Sequence, residues 1–362
     1  MAFFFTSPIG LGHIARDIAI LEKLANLSSN VSMNLITGLK AYEFLSIYPK
    51  EQFDKINLQY YDLYKPPKFF ISNGMLKNNL VWLFLYLSYY RSSKKLAENV
   101  LNSPKFETKD KLIISDEDFA SISAAEDLKR PKLLITDILH TNFVKSRVFS
   151  GVERLLNDSM YRLIQSCNSV IVPELGNNKD NIIYVGPIVR EILTSRDELR
   201  RRFSFHRKTI LITTGGTHAG SYLIKNVLRI LTNLNNKFDF DLILSYPYDL
   251  RVTGIEGFNF DNIGFVHNIH EYIYAADLVI SLAGKSTIDE CNMYGTPGIF
   301  IPIKDHFEQE ERAMKCGFSY DDINRLEGII EEYLSNIGVR KKSQVKNGAT
   351  QAARMISEYL NE

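Results

Sequence analysis

Short runs of β-branched and aromatic residues alternate with amphipathic stretches along the whole chain. The apolar runs at Ala2–Thr6 (AFFFT), Ser32–Ile36, Lys111–Ser115 (KLIIS), Lys132–Thr136 (KLLIT) and Ser169–Val172 each read as a short buried strand. The stretch from about Ile14 to Leu27 reads as an amphipathic helix. At Lys208 the pattern restarts, with strands at Lys208–Thr213, Asp241–Ser245, Asn262–Phe265, Leu278–Ser281 and Gly298–Pro302. Helices are expected at Tyr222–Leu234, Thr287–Tyr294 and Ser343–Tyr359. Near-continuous apolar strands separated by helices imply parallel sheets covered on both faces. The expected fold class is therefore α/β, with two Rossmann-like doubly wound domains facing each other across a cleft. The boundaries implied are 1–187, 188–342, and a last helix, 343–362, returning to the first domain. YVGPIVR, Tyr184–Arg190, is the hinge between them. Tyr60–Asn79, with Pro66-Pro67 and Asn73-Gly74, is expected to be an irregular loop over the first domain's mouth.

Composition narrows the partners. The chain has 362 residues, too many for one ordinary core, and 43 basic against 42 acidic residues give a net charge of +1. That balance argues against a nucleic-acid binder that relies on phosphate attraction. Three cysteines, Cys167, Cys291 and Cys316, are odd in number and far apart, as free thiols in a reducing compartment would be. Since Ala2–Thr6 already reads as a strand, no signal peptide is expected. The apolar run Leu80–Tyr90 (LVWLFLYLSYY) is shorter than the ~20 residues that span a bilayer. It fits a buried helix, or one lying in a membrane interface with Trp82 and the tyrosines at headgroup level and Arg91, Lys94 and Lys95 on anionic lipid.

The chemistry gathers at strand ends. In Leu278–Tyr294 a strand runs through Ala283-Gly284 directly onto a helix, which aims free backbone N–H groups at an anion. Glu290, one to two turns along that helix, is suited to accepting from sugar hydroxyls. TGGTHAGS, Thr214–Ser221, is a second Gly-rich turn after a strand. Together these point to a nucleotide carrying a sugar. In the first half SPIGLGH ends on Gly12 and His13, a candidate base, and Asp116-Glu117-Asp118 closes another strand. Like charges so close raise at least one carboxyl pKa, which suits Glu117 as a base. Glu117 is taken as the base and His13 as its partner or the ligand of a phosphate, with the roles open to exchange. Asp116-Glu117-Asp118 and Asp239-Phe240-Asp241 both spell D-x-D, a metal signature of another fold; neither lies in the Gly-rich turns, and no metal is expected.

On these residues the chain resembles the MurG-type transferases of glycosyltransferase family 28, which have the GT-B fold. It is also similar to the two-subunit eukaryotic enzyme that adds the second N-acetylglucosamine to a dolichol-linked sugar. The likeness is strong over Leu278–Ala313, moderate at Gly10–His13 and Gly215–Ser221, and weak from about Asn34 to Lys111. It implies a UDP-sugar donor in the C-terminal domain, no required cofactor, and the acceptor in the N-terminal one. Gly284 and Thr287 would lie near the pyrophosphate, Glu290 on the ribose, and Gly215, Gly216 and Thr217 against the phosphates, with Gly12 among the binding glycines. Val266 would read the uracil edge by its backbone, Arg190 would sit near the α-phosphate, and Glu308-Gln309 would read the sugar's ring hydroxyls. Several relatives carry a basic residue where this chain has Leu282, so loop amides, helix ends and Arg190 would have to meet the leaving charge, with Lys285 or His218 as possible help. The implied activity is inverting transfer of a sugar, N-acetylglucosamine in the family, to a lipid-linked acceptor at the cytoplasmic membrane face. A UDP-sugar hydrolase or epimerase on the same frame is the rival, and a non-catalytic nucleotide-sugar binder a weaker one.

Overall fold

The computed structural model describes residues 1–27, 31–67, 70–77, 79–106, 111–142, 150–216, 218–246, 259–336, 340 and 343–361. In chain order the first elements are β1 (Ala2–Thr6), α1 (Gly12–Leu27), β2 (Val31–Thr37), α2 (Leu39–Ile47) and β3 (Ile56–Asp62). A hairpin, β4 (Ile71–Ser72) and β5 (Met75–Leu76), precedes α3 (Asn79–Leu101). Then come β6 (Ile113–Asp116), α4 (Phe119–Asp127), β7 (Lys132–Ile135), α5 (Ser150–Ser166), β8 (Ser169–Val172) and β9 (Ile182–Tyr184). The second series is α6 (Arg196–Arg202), β10 (Lys208–Thr213), α7 (Ser221–Leu234), β11 (Phe240–Ser245), β12 (Asn259–Asn262), α8 (Ile269–Ala275), β13 (Leu278–Leu282), α9 (Lys285–Tyr294) and β14 (Gly298–Ile301). Three helices close the chain: α10 (Phe307–Lys315), α11 (Leu326–Ser335) and α12 (Ala349–Asn361).

The chain divides into two compact units. One holds residues 1–69, 78–189 and 345–362, the other 70–77 and 190–344. The first unit is built on a parallel seven-stranded sheet of order β3-β2-β1-β6-β7-β8-β9. Every residue of β1 is fully buried, as a central strand covered on both faces requires. Phe3 and Phe5 pack with Tyr64, Ala97, Leu101 and Ile113, and each such aromatic contributes about 1.5–3 kcal/mol by leaving water. On the opposite face α12 packs against α1. The second unit has a parallel five-stranded sheet of order β12-β11-β10-β13-β14.

Both sheets grow outward from their first strand and then jump to its other side. The strand order therefore reverses between β1 and β6 in the first unit and between β10 and β13 in the second. At such a reversal the connections leaving two adjacent strands part in opposite directions and open a crevice at their carboxyl ends.

Several sequence expectations need correction. Tyr60–Asn79 is not one irregular loop: Tyr60–Asp62 belong to edge strand β3, and Ile71–Leu76 form a hairpin within the second unit. β3 is exposed at alternate positions, so it lacks the continuous apolar run that marks the central strands. The strand placed at Asn262–Phe265 lies instead at Asn259–Asn262, because Gly264 turns the chain at φ +63°. Trp82 is 4% exposed and stacks on Tyr86, so it is a core residue and not a headgroup anchor. The face of α3 turned to solvent carries Val81, Phe84 and Leu85, followed by Arg91 and Lys95. Among the described residues no helix is long and apolar enough to cross a membrane.

Candidate functional site

The first unit concentrates charge at its reversal point. β1 ends at Thr6, which pairs with Asp116 at the end of β6. The chain leaving β1 turns at Gly10 (φ +84°), where an added Cβ would meet nothing within 4 Å, and enters α1 at Gly12 with His13 in the first turn. This delivers His13 to the crevice beside Asp116 and Glu117. His13 Nδ1 lies 3.2 Å from Asp116 Oδ1, and Nε2 lies 3.5 Å from Glu117 Oε2. One turn further along α1, Arg16 donates from Nε to Asp116 Oδ2 (2.8 Å), from Nη2 to Asp116 Oδ1, and from Nη1 to Asp137 Oδ1 (3.0 Å). Glu117 Oε1 accepts from the Asp137 backbone N–H at 3.3 Å. Glu117 itself sits at φ +49°, a left-handed conformation that costs a non-glycine residue roughly 1 kcal/mol or more. Strain of this kind is kept where the surrounding structure fixes a side chain in place.

The burial sets the proton chemistry. Burial alone raises the Glu117 carboxyl, and neighbouring Asp137 adds to it; His13 and Arg16 oppose, leaving it pushed up to about 8. For His13, burial favours the neutral ring, but Glu117 and Asp116 more than reverse this and raise it above the ordinary value. Asp116 is driven the other way: burial would raise it, yet the Arg16 guanidinium and His13 hold it well below the usual carboxylate range. Asp116 is thus a fixed anion on one side of the imidazole, and Glu117 a group that changes charge near neutrality on the other. The ligand atoms of His13, Asp116 and Glu117 lie within 4.8 Å of one another, a spacing an ion could bridge. Arg16 already donates to both oxygens of Asp116, so that carboxylate has its compensating charge.

Sequence reasoning singled out His13 and Glu117 but not Arg16 or Asp137. Arg16 stands at the i+3 position from His13 in GHIAR, a spacing that puts both on one face of α1. That was the available signal. Asp118 accepts from the Tyr64 hydroxyl, while Asp239 is exposed beside Arg207.

In the second unit the reversal point is built of small residues and helix ends. β10 ends at Thr213, which pairs with Ser281 of β13. Gly215 (φ +71°) turns the chain toward α7, and nothing lies within 4 Å of a Cβ built there. Gly216 adjoins it, and Thr217 lies outside the described residues. Gly284 is the N-cap of α9, with no side chain to occupy the first-turn N–H groups, and it too faces open space. The helix begins at Lys285, two residues earlier than its apolar periodicity indicated, so Thr287 is its third residue. Gly295 (φ +71°) ends it with a left-handed C-cap.

Glu290 and Arg190 are found together. Arg190 Nε and Nη2 donate to Glu290 Oε1 at 3.0 and 2.8 Å, and Nη1 donates to the His267 carbonyl at 2.9 Å. The two side chains are 5% and 2% exposed. Burial raises the Glu290 carboxyl and Arg190 pulls it back. Both bonds land on one oxygen, so Oε2 takes no part in this pairing. Lys285 is held by Asp289, 2.9 Å away. Val266 lies in the turn before α8, half-buried, not directly behind a strand. Glu308 and Gln309 are not in a loop but in the first turn of α10. Gln309 Oε1 accepts from the Ile303 N–H (3.0 Å), and Glu308 pairs with Arg312 (3.4 Å).

Two doubly wound units with ligand-type turns at both reversal points are the frame of a GT-B glycosyltransferase. The MurG of Acinetobacter baumannii has this fold, with a TM-score of 0.55 and 13% identity over 100% of this chain and 99% of that one. The family model described as the glycosyltransferase family 28 C-terminal domain matches residues 209–338. Among curated relatives, an uncharacterized glycosyltransferase of Methanopyrus kandleri is 25% identical over 69% of this chain and 76% of its own. The UDP-N-acetylglucosamine–N-acetylmuramyl-(pentapeptide) pyrophosphoryl-undecaprenol N-acetylglucosamine transferase of Caldicellulosiruptor saccharolyticus is 23% identical over 97% of this chain and 95% of its own. Residues 209–338 thus carry the family 28 C-terminal domain, and the chain is similar along most of its length to a MurG-type transferase.

Proposed function

We propose that this glycosyltransferase moves N-acetylglucosamine from a UDP-sugar, with inversion, to a lipid-linked acceptor at the cytoplasmic face of a membrane. The observation that carries the reading is the contrast between the reversal points: one is a charged, proton-exchanging cluster, the other an open seat of glycines and a helix N-terminus. The diphosphate goes to the first-turn N–H groups of α9 beyond Gly284, whose own N–H donates to the Leu282 carbonyl, and to the Gly215-Gly216 turn, where each helix-end contact contributes roughly 0.3–1 kcal/mol, or up to about 2 when partly buried. Glu290, oriented by Arg190, offers Oε2 to the ribose hydroxyls. Gln309 keeps its amide N–H groups for the sugar, since its oxygen is used on Ile303.

The His13–Glu117 pair takes the acceptor's proton. His13 is the more accessible, with 19% of its side chain exposed against 7% for Glu117. Asp116, the fixed anion, holds Nδ1, which favours His13 as the group that meets the hydroxyl, with Asp116 stabilising the imidazolium that forms and Glu117 the neighbour that changes charge near neutrality. Inversion needs only this one base and a departing UDP stabilised by fixed dipoles. The donor and the lipid pyrophosphate acceptor are supported by the name of the Caldicellulosiruptor relative.

Docking to lipid is assigned to the outer face of α3, where exposed Val81 (48%) and Phe84 (66%) precede Arg91 and Lys95. Val81→Asp/Phe84→Asp should release the protein from anionic vesicles in a flotation assay without lowering Tm. Trp82→Asp should instead unfold the first unit. Retention of the double variant on vesicles removes this face from the proposal. The function as a whole is tested by calorimetry with UDP, then by assaying a panel of UDP-sugars with a prenyl-diphosphate-linked acceptor and determining the product's anomeric configuration. Failure to bind UDP, or a retained anomer, overturns it.

A further inference from the structure

The hairpin Ile71–Leu76 belongs to the second unit, although every other residue of that unit lies at or beyond Arg190. Asn73 and Gly74 take φ values of +50° and +71°, the paired left-handed conformations of a tight two-residue hairpin turn. Ile71 faces Leu76 and Ser72 faces Met75, and the Lys77 N–H closes the base on the Phe70 carbonyl at 2.7 Å.

Its contacts are with the segment between β14 and α10. The Lys304 N–H donates to the Gly74 carbonyl, and the Leu76 N–H donates to the Lys304 carbonyl, each at 2.9 Å. Behind Lys304, the Ile303 N–H donates to Gln309 Oε1 and the Asp305 N–H to Glu310 Oε1, both at 3.0 Å. Asp305 adopts φ +65°. The segment is thus pinned from the α10 side by side chains and from the other side by the hairpin backbone. The tip also meets the start of α7, the helix that follows the Gly-rich turn. A Cβ on Gly74 would come 2.8 Å from Tyr222 Cδ1 and 3.2 Å from Tyr320 Cε2. The Tyr320 hydroxyl donates to the Asn73 carbonyl at 2.8 Å and also interacts with Tyr222.

We infer that the Asn73-Gly74 hairpin is a positioning element for the donor's sugar: it fixes residues 303–306, hence the first turn of α10 with Glu308 and Gln309, and so sets which hexose is accepted. The inference rests on the UDP-sugar reading above. It assigns to the hairpin the selection between sugars and not the binding of the nucleotide, because its hydrogen bonds reach Lys304 and Tyr320 rather than Gly284, Arg190 or Glu290.

The test uses the full chain with Gly74→Ala, which places a side chain at positive φ against Tyr222, and Tyr320→Phe, which removes the hydroxyl's contacts with the Asn73 carbonyl and Tyr222 and keeps the ring. UDP affinity is measured by calorimetry, and kcat/KM is measured for UDP-N-acetylglucosamine and UDP-glucose. The preference between the two sugars should fall about tenfold in Gly74→Ala and about threefold in Tyr320→Phe, with UDP affinity within roughly twofold of the parent. A preference unchanged in Tyr320→Phe, and in Gly74→Ala where that variant folds, overturns the inference, as does a loss that falls equally on UDP and both sugars. Failure of the parent to bind UDP would refute the donor reading itself, a separate and distinguishable result.

Discussion

The two sheets share a topology and even an ending. β1 and β10 both finish in threonine, both are flanked by the strand pair that reverses the order, and both lead through a left-handed glycine into a helix. What they place at the crevice is opposite in kind. The first unit brings together His13, Arg16, Asp116, Glu117 and Asp137, all at least half-buried. The second places glycines and helix N–H groups there and sets its ion pair, Arg190–Glu290, further along α9. Fixed dipoles hold an anion without exchanging protons. A buried cluster with one carboxyl near neutrality exchanges protons readily but offers an anion a poor seat. On the proposed reading, the same frame separates binding from proton transfer by the residues at one edge.

That contrast can be broken by substitution. His13→Ala should lower transfer by about 10²–10⁴-fold while leaving UDP affinity unchanged. A parallel loss of UDP binding would mean the first unit also holds the nucleotide. In the second unit, Glu290→Ala leaves the Arg190 guanidinium buried with one partner fewer. It should cost about 3 kcal/mol of stability in chemical denaturation and weaken UDP roughly tenfold in calorimetry. Glu290→Gln, which keeps an acceptor oxygen, should recover most of the stability. Equal UDP affinity in all three proteins would remove Glu290 from the ribose.

The smallest effect is a pH dependence. Glu117 binds its proton more tightly folded than unfolded, so its contribution to stability is full below the ordinary carboxyl range and is lost as pH rises toward about 8. Glu117→Gln should therefore gain Tm relative to the parent as pH climbs from 5 to above 8. A Tm difference independent of pH would show that Glu117 is ionised throughout.

Much of this was visible in the chain itself. Ser169–Val172 and Lys208–Thr213 were located to the residue, because central strands are apolar without interruption and end at polar or glycine positions. The Gly284 turn, the Gly215 turn and the His13 position were legible because a strand stops at a small-residue turn before a helix, and Glu117 because a run of three acidic residues closes a strand. Edge strand β3 was not legible, since half its residues face solvent and mimic a loop. Nor was the hairpin, whose four strand residues carry no periodicity.

Local sequence, then, determined the strands, the turns and the chemical types at their ends, because backbone geometry and apolar spacing act within a few residues. Tertiary structure decided which of those ends meet. Asp116 lies 100 residues from Arg16, and Arg190 lies 100 residues from Glu290. Only the reversal in strand order brings the first pair together, and burial beside Asp137 turns Glu117 from an ordinary carboxylate into a group that titrates near neutrality.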